Sequence, residues 1–285
     1  MDIRIREARE SDVADAGRII FDAFAYIHDK YSFPRDFPSP DVATGLATAW
    51  INHPRIWTIV AEVGGKVVGF NGLDQRDEIG AVGPVVVDPA GHGKGVGRAL
   101  MKAVIERARP MKGMRLIQEA FNTASMSLYA SLGFEVTEPV AEMKGTVADA
   151  RKPEGFRAMT QADLESCGAL CMKTHGLKRT NELTDALKMF EPVVLERGGR
   201  IVAYASSPKA WLINHSMGET QADWEALIEG LSATRGEVML FVPTRQAALF
   251  RWCLSRGLRI LKPATLMAMG QYQEPRGAWT PSVLY

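Results

Sequence analysis

The stretch that decides the fold is a run of valines, a glycine-rich turn and a helical pattern: Val85-Val86-Val87-Asp88-Pro89-Ala90-Gly91-His92-Gly93-Lys94-Gly95-Val96-Gly97-Arg98-Ala99-Leu100. Three β-branched residues in a row predict a buried strand, which Asp88 and Pro89 end. Apolar residues at Val96, Leu100 and Val104 then recur every four residues, as in an amphipathic helix. The stretch therefore predicts a strand, a tight loop and a helix, in that order.

A strand, a glycine loop and a helix start together make a site for an anion. The glycines let the loop turn its backbone N–H groups toward one point, and the helix start carries the positive end of the dipole. A triphosphate-binding loop needs Gly-Lys before Ser or Thr, whereas Gly93-Lys94 precedes Gly95. The dinucleotide fingerprint needs glycines at its first, third and sixth positions, and this spacing is also absent. The sequence predicts a phosphate site of another kind.

The loop resembles the acetyl-CoA loop of the GCN5-related N-acetyltransferases, the GNAT family. That signature is Gln or Arg, two residues, Gly, any residue, then Gly or Ala, and here it follows Val87-Asp88-Pro89. His92 stands where the family has Gln or Arg, a change that loosens one loop contact and leaves the amides in place. The residues that the resemblance assigns to binding the cofactor phosphates are His92, Gly93, Lys94, Gly95, Val96, Gly97 and Arg98.

A second segment, about 30 residues further on, resembles the other GNAT signature and reads Asn122-Thr123-Ala124-Ser125-Met126-Ser127-Leu128-Tyr129-Ala130-Ser131-Leu132-Gly133-Phe134. Asn122 suits a helix N-cap, and Gly133 suits the left-handed residue after a helix. The resemblance implies that Asn122 contacts the cofactor arm. It also implies that Tyr129 lies near the cofactor sulfur and returns a proton to the leaving thiolate.

The resemblance also assigns a role to the strand that enters the loop. In the family this strand and the next one, here residues 114–121, splay apart, and the pantetheine arm lies between them. Backbone amides at Val85, Val86 and Val87 then bond the arm and polarise the thioester carbonyl, which demands geometry rather than particular side chains. Acetyl-CoA is thus the expected cosubstrate, and no metal is expected.

Composition predicts a soluble globular protein. Of 285 residues, 46% are hydrophobic and 24% are charged, and 34 Lys and Arg against 33 Asp and Glu give a net charge of +1. So balanced a charge favours neither nucleic acid nor an anionic membrane as partner. The three cysteines lack metal-ligand spacing and suggest reduced packing thiols of a cytoplasmic protein. No signal peptide or membrane-spanning run is evident, and the oligomeric state stays open.

The first half shows the expected flanking elements. Alternation over residues 3–6 predicts a strand, and apolar residues from Val13 to Ala23 predict a helix. Gly64-Gly65 predicts a hairpin turn between two strands. Residues 24–40 are rich in aromatics and prolines, which predicts either an acceptor-shaping loop or a loop packed on the sheet edge. The histidines in and near this region are expected at the surface or at helix caps, and they are His28 and His53.

The second half repeats the first weakly. Phe156-Arg157-Ala158-Met159-Thr160-Gln161-Ala162-Asp163 echoes the stretch from Ile5 to Asp12. Gly198-Gly199 repeats the hairpin glycines, and Arg256-Gly257-Leu258 aligns with Leu132-Gly133-Phe134. The order and approximate spacing agree, so we expect an α/β (α+β) architecture of two GNAT-like domains in tandem. Each is a mixed, mostly antiparallel twisted sheet flanked by helices. The predicted domains are residues 1–146 and 155–285, with a linker over 147–154.

The second domain is expected to be degenerate. Between a strand near Trp211 and a helix containing Trp224, the phosphate loop is replaced by Asn214-His215-Ser216-Met217-Gly218-Glu219-Thr220, with one glycine and no lysine. Cys253 stands at the place of Tyr129. We expect this domain to close the acceptor site rather than to form a second active site.

The sequence as a whole predicts an acetyl-CoA-dependent N-acetyltransferase. The acceptor is a small-molecule or peptide amine, and the base that removes its proton is open. Asp74, Asp77 and Glu78 are available, each expected to be a solvated turn residue, and the base could also come from the second domain. Two alternatives stand beside this reading: a regulatory module that binds acetyl-CoA without transfer, and a transferase for a longer acyl-CoA.

Overall fold

The computed structural model describes residues 2–284, so Met1 and Tyr285, the outer limits of the two predicted domains, lie outside the described residues. The helices are α1 Val13–Tyr31, α2 Pro40–Ile51, α3 Val96–Arg107, α4 Thr123–Ser131, α5 Leu164–His175, α6 Thr180–Met189, α7 Gln221–Arg235 and α8 Ala247–Ser255. The strands are β1 Arg4–Glu7, β2 Ile56–Val63, β3 Lys66–Asp74, β4 Ile79–Val82, β5 Val86–Val87, β6 Gly113–Glu119, β7 Glu135–Gly145, β8 Phe156–Ala158, β9 Val193–Arg197, β10 Arg200–Ala205, β11 Ser216–Gly218, β12 Val238–Pro243, β13 Arg259–Gly270 and β14 Ala278–Thr280.

The chain divides into two compact units. The first unit contains the described residues up to Leu116 together with Phe121–Phe134. The second unit contains Ile117–Ala120 and the described residues from Glu135 onward. The predicted boundaries at 146 and 155 stay a prediction. None of the helices within residues 2–284 is both long and apolar enough to cross a bilayer.

The first unit is built on a mostly antiparallel sheet. Strands β1, β2, β3 and β4 pair in that order and antiparallel, and β6 then pairs with β4 in parallel. The short strand β5 pairs antiparallel with β3. Gly69 on β3 lets α3 approach, because an added Cβ there would lie 2.9 Å from Leu100 Cδ1 and 3.0 Å from Val96 Cγ1. The mixed sheet with flanking helices confirms the predicted fold class.

The second unit contains two groups of antiparallel strands. One sheet has the order β14-β11-β10-β9-β8, and in the other group β7 lies between β12 and β13. Its core is centred on Trp224, which is fully buried together with Leu227 and Ile228 from the same helix. The cysteines Cys167, Cys171 and Cys253 are buried and form no disulfide within residues 2–284, as expected of packing thiols, and burial raises the pKa of the Cys253 thiol to about 12.

The two units repeat the same electrostatic clamp near their first strands. In the first unit Arg6 binds Asp12 at 2.7 Å and Glu62 at 2.7 Å. In the second unit Arg157 binds Asp163 at 2.7 Å and Glu196 at 2.8 Å. Hydrogen bonds from the two arginines lower the pKa of both aspartates.

The hairpin turns and the last helix of each unit, α4 and α8, repeat as well. The hairpin glycines Gly64-Gly65 and Gly198-Gly199 all have left-handed backbone, with φ between +58° and +77°. Helices α4 and α8 are nine residues long, and each is followed by a glycine at φ +100°. The carbonyls of Tyr129 and Cys253 both accept an N–H from five residues on, at 3.1 and 3.0 Å. Cys253 therefore occupies the position of Tyr129.

The region before α7 differs from the expectation. Residues 214–220 are not an open loop, because they contain β11, and Trp211 lies in a short 3₁₀ turn rather than in a strand. Only two residues separate β11 from α7, and the Thr220 side chain caps the helix by accepting the Asp223 N–H at 3.2 Å. The start of α7, which corresponds to the helix start of the predicted phosphate site, is thus capped by the side chain of Thr220.

The region between α1 and α2 also corrects the sequence interpretation. Helix α1 continues through Phe24 and His28 to Tyr31, so only residues 32–39 form a connection. His28 is fully buried rather than at the surface, whereas His53 accepts the backbone N–H of Arg55 at 3.1 Å, as a capping residue does.

Candidate functional site

The strand that enters the loop is interrupted, which the valine run does not predict. Strand β4 ends at Val82, and β5 begins only at Val86. Gly83 between them has φ +142°, and its carbonyl accepts the indole N–H of Trp50 at 3.1 Å. Val85 therefore lies outside the strand. Among described residues, the β4–β6 ladder ends at the pair Ala81–Arg115.

The loop itself is set by local hydrogen bonds and two left-handed glycines. The Asp88 carboxylate accepts the Ala90 N–H at 3.0 Å and starts a 3₁₀ turn over Pro89–Gly91. Gly93 has φ +74° and Gly95 has φ +86°, backbone that favours glycine. A Cβ added at either position meets no described atom within 4 Å, so both face open space. Gly97 is already helical and has ordinary neighbours.

The backbone amides around the start of α3 lack the hydrogen-bond partners that amides inside a helix have. Within residues 2–284, the N–H groups of residues 93–98 have no hydrogen-bond acceptor, and the first bond of the helix is Ala99 N–H to Gly95 carbonyl at 3.0 Å. Val96 is buried, while Gly93, Lys94, Gly95 and Arg98 are exposed. A helix start with open amides beside two cations is suited to an anion.

Three side chains of the loop and the start of α3 form hydrogen bonds with neighbouring groups of the protein. His92 Nε2 lies 3.2 Å from the Val87 carbonyl, which ties the loop to β5. The Lys94 ammonium donates to the Ala90 carbonyl at 2.9 Å. Arg98 donates to Ser131 Oγ at 2.8 Å and so joins α3 to α4. The structure thereby brings the loop and the Tyr129-bearing helix together.

Two residues of α1 contact the loop, and sequence reasoning missed both. Arg18 binds the Asp88 carboxylate at 3.0 Å. The Tyr26 ring packs edge-on against His92 with ring centroids 5.3 Å apart. Neither contact has a signal in the sequence beyond the Asp88-Pro89 turn itself.

Helix α4 presents the other two predicted site residues. Asn122 is the N-cap, and its side chain accepts the Ser125 N–H at 3.3 Å, which confirms the predicted cap. Tyr129 is 6% exposed, and burial raises the pKa of its hydroxyl above the usual range. The phenol is protonated at neutral pH, as that of an ordinary tyrosine also is. Gly133 has the predicted left-handed backbone.

The turn carboxylates considered as bases are partly engaged in ion pairs. Asp74 is buried rather than solvated and binds Arg76 at 2.6 Å. Glu78 is exposed, as expected, and binds Lys112 at 2.6 Å.

An aromatic cluster gathers around Phe121 in the first unit. The Phe33 ring stacks on Phe121 at 4.3 Å between centroids, and Tyr31 and His28 pack against it at 5.6 and 5.7 Å. His28 Nδ1 lies 2.7 Å from the Phe24 carbonyl. The aromatics predicted for residues 24–40 thus pack on the residue that directly precedes Asn122.

Known sequences match the segment that contains this loop. Residues 22–134 match the model of the acetyltransferase (GNAT) family. The chain is 33% identical over 101 residues to a mycothiol acetyltransferase of Nocardia farcinica, and the match covers 33% of each chain. It is 34% identical over 91 residues to an uncharacterized N-acetyltransferase of Methanocaldococcus jannaschii, covering 28% of this chain and 40% of that one. The chain thus spans about a third of the length of the curated relatives it matches.

Solved structures share the fold over nearly the whole chain. A candidate acetyltransferase from Pyrococcus horikoshii is similar with a TM-score of 0.76 at 15% identity, covering 99% of this chain and 94% of that one. A GCN5-related N-acetyltransferase from Sphaerobacter thermophilus gives 0.61 at 15% identity, covering 95% and 96%. The match to the acetyltransferase (GNAT) family model covers residues 22–134, the segment that carries the glycine loop and helices α3 and α4.

Proposed function

We propose that the first unit binds acetyl-CoA and transfers its acetyl group to a primary amine. The observation that carries this proposal is the row of open amides at residues 93–98, which face no acceptor within residues 2–284. Their neighbours Lys94 and Arg98 are exposed and cationic. Amides and cations so arranged suit the phosphates of coenzyme A.

The loop glycines fit a phosphate that approaches the backbone closely. Gly93 and Gly95 have open space where a side chain would project. His92, Gly93, Lys94, Gly95, Val96, Gly97 and Arg98 are the residues that we propose hold the pyrophosphate. A β-branched side chain at Gly95 would fill that space and would also strain the left-handed backbone.

The pantetheine arm is proposed to lie along the edge of β5. Backbone groups at Val85, Val86 and Val87 would bond its amides, and Asn122 would contact it from the start of α4. Only one edge of β5, the edge facing β3, is paired within the first unit as described. An N–H in this row that points at the thioester oxygen stabilises the oxyanion formed on attack.

The chemistry is aminolysis of a thioester. The neutral amine nitrogen attacks the thioester carbon and the C–N bond forms. The nitrogen then loses one proton to a base or to water, and the C–S bond of the tetrahedral intermediate breaks. Tyr129 is proposed to give its hydroxyl proton to the departing thiolate, and its phenolate then regains a proton from solvent. Holding amine and thioester in contact supplies much of the rate enhancement. The acceptor is proposed to be a small-molecule or peptide amine.

The second unit is proposed to be a degenerate copy of the first, without its own transfer site. The start of α7 is capped by Thr220, and Arg197 binds the nearby Asp223 carboxylate at 3.1 Å. Cys253 replaces Tyr129 and is fully buried. The proposed limits of the two domains are residues 1–146 and 155–285.

The proposed reaction is tested by thiol release from acetyl-, propionyl- and succinyl-CoA over a panel of amines. The panel contains a polyamine, an aminoglycoside, free amino acids and a peptide with a free N-terminus. We expect release from acetyl-CoA that depends on one class of amine. Acetyl-CoA binding without release on any amine would favour a regulatory module, and faster release from a longer thioester would favour the other alternative.

The loop assignment predicts that Gly95→Val weakens acetyl-CoA binding. Losing charge-assisted hydrogen bonds to the pyrophosphate should raise the Kd at least about tenfold. Gly65→Val is the matched control, because Gly65 also has a positive φ, +77°, and open space around its Cβ position. Calorimetric titration of both variants measures this. Equal affinities for the two variants and the parent would show that the loop does not bind the cofactor.

The proton-donor assignment predicts that Tyr129→Phe lowers kcat and kcat/KM together by about a hundredfold, because general acids contribute at that level. The Kd for acetyl-CoA should stay unchanged, since the hydroxyl acts only as the C–S bond breaks. Cys253→Ala at the matched position should leave both quantities as in the parent. A kcat within twofold of the parent rules out proton donation, whereas a raised Kd with intact kcat indicates a binding hydroxyl.

A further inference from the structure

The second unit contains a strand, β14, that has no counterpart among the described residues of the first. Residues 271–284, here named the strap, follow β13 and include β14 at Ala278–Thr280. The side chains of residues 278–282 are buried, and Trp279 is 3% exposed. The strap is therefore an integral part of the second unit.

The strand that β14 pairs with corresponds, residue by residue, to β5 of the first unit. In the first unit Phe70 pairs with Val86, and the Asp88 N–H donates to the Val68 carbonyl at 2.9 Å. In the second unit Tyr204 pairs with Met217, and the Glu219 N–H donates to the Val202 carbonyl at 2.8 Å. Since the sequence repeat aligns residues 68–70 with 202–204, β11 is the counterpart of β5.

The strap occupies the other edge of β11. Met217 pairs with Trp279, and Gly218 pairs with Ala278, in an antiparallel ladder. Ser216 Oγ lies 2.6 Å from Thr280 Oγ1, and the Trp224 indole donates to the same Ser216 oxygen at 2.8 Å. The edge that corresponds to Val86 and Val87 is thus filled by main chain.

A second contact reaches the strap from the start of α8. Gln246 is the N-cap residue of α8, as Asn122 is of α4. Its side-chain amide donates to the Trp279 carbonyl at 2.8 Å, and its carbonyl oxygen accepts the Trp279 N–H at 3.4 Å. The counterpart of Asn122 therefore binds both backbone groups of one residue of the strap, Trp279.

We propose that the strap takes, in the second unit, the place that the pantetheine arm of acetyl-CoA takes in the first. This inference rests on the proposed function for the identity of the arm. Pantetheine and a peptide both offer amide N–H and C=O groups, so a strand edge and a capping amide side chain can bind either one. The Trp279 ring packs edge-on against the His175 ring with centroids 5.2 Å apart, which anchors the strap to α5. In the second unit, the position that corresponds to the pantetheine site of the first is thus occupied by the strap.

The proposal predicts how two matched cap variants behave in the full chain. Amide hydrogen exchange in the parent should be at least about a hundredfold slower over residues 278–280 than in an unstructured peptide. Gln246→Ala should speed that exchange about tenfold and leave the acetyl-CoA Kd unchanged. Asn122→Ala should leave the exchange of the strap unchanged and raise the acetyl-CoA Kd about tenfold. Exchange by mass spectrometry and calorimetric titration measure the two quantities.

Three outcomes would overturn the proposal. The first is exchange over residues 278–280 in the parent as fast as in an unstructured peptide, and the second is a change in the exchange of these residues on saturation with acetyl-CoA. The third is a rise in the acetyl-CoA Kd caused by Gln246→Ala. The parent measurements decide the first two even if a variant fails to fold. A parent that binds no acetyl-CoA would instead contradict the proposed function. The exchange of the strap would still report whether the strap is paired with β11.

Discussion

Backbone N–H groups at a strand edge or at a helix start need an acceptor, and this requirement shapes both units. In the second unit the chain supplies the acceptors itself, through the Thr220 cap on α7 and the strap beside β11. In the first unit the amides of residues 93–98 have none within the described chain. An unsatisfied helix start costs little while water covers it and becomes a binding site when an anion replaces that water. The two units therefore differ in whether the chain itself provides acceptors for these backbone N–H groups.

The shared scaffold explains how one repeat keeps its fold after losing its loop. The arginine clamp, the hairpin glycines and the glycine after the last helix recur with the same geometry in both units. None of these features touches the loop before α3, so the loop can change independently of them. Thr220 then caps α7, and Gln246 binds the strap, in the unit that we propose has no transfer site.

The local features of the fold and site are predictable from the sequence, and the long-range ones are not. The loop, the Asn122 cap and the position of Cys253 follow from short motifs whose glycines and caps have one structural solution each. The break before Val86 depends on Trp50, and the burial of His28 depends on Phe121, both distant in sequence. The strap shows no periodic pattern, because its three-residue strand is specified by its partners in β11 and α8.

We propose that one chain holds a single acetyl-CoA site, formed by the first unit. The most direct test is the stoichiometry of acetyl-CoA binding by calorimetric titration of the purified full chain at known active concentration. We expect one molecule of acetyl-CoA bound per chain, with a single binding isotherm. Two molecules bound per chain would contradict it, because the second unit would then hold a cofactor arm where the strap lies.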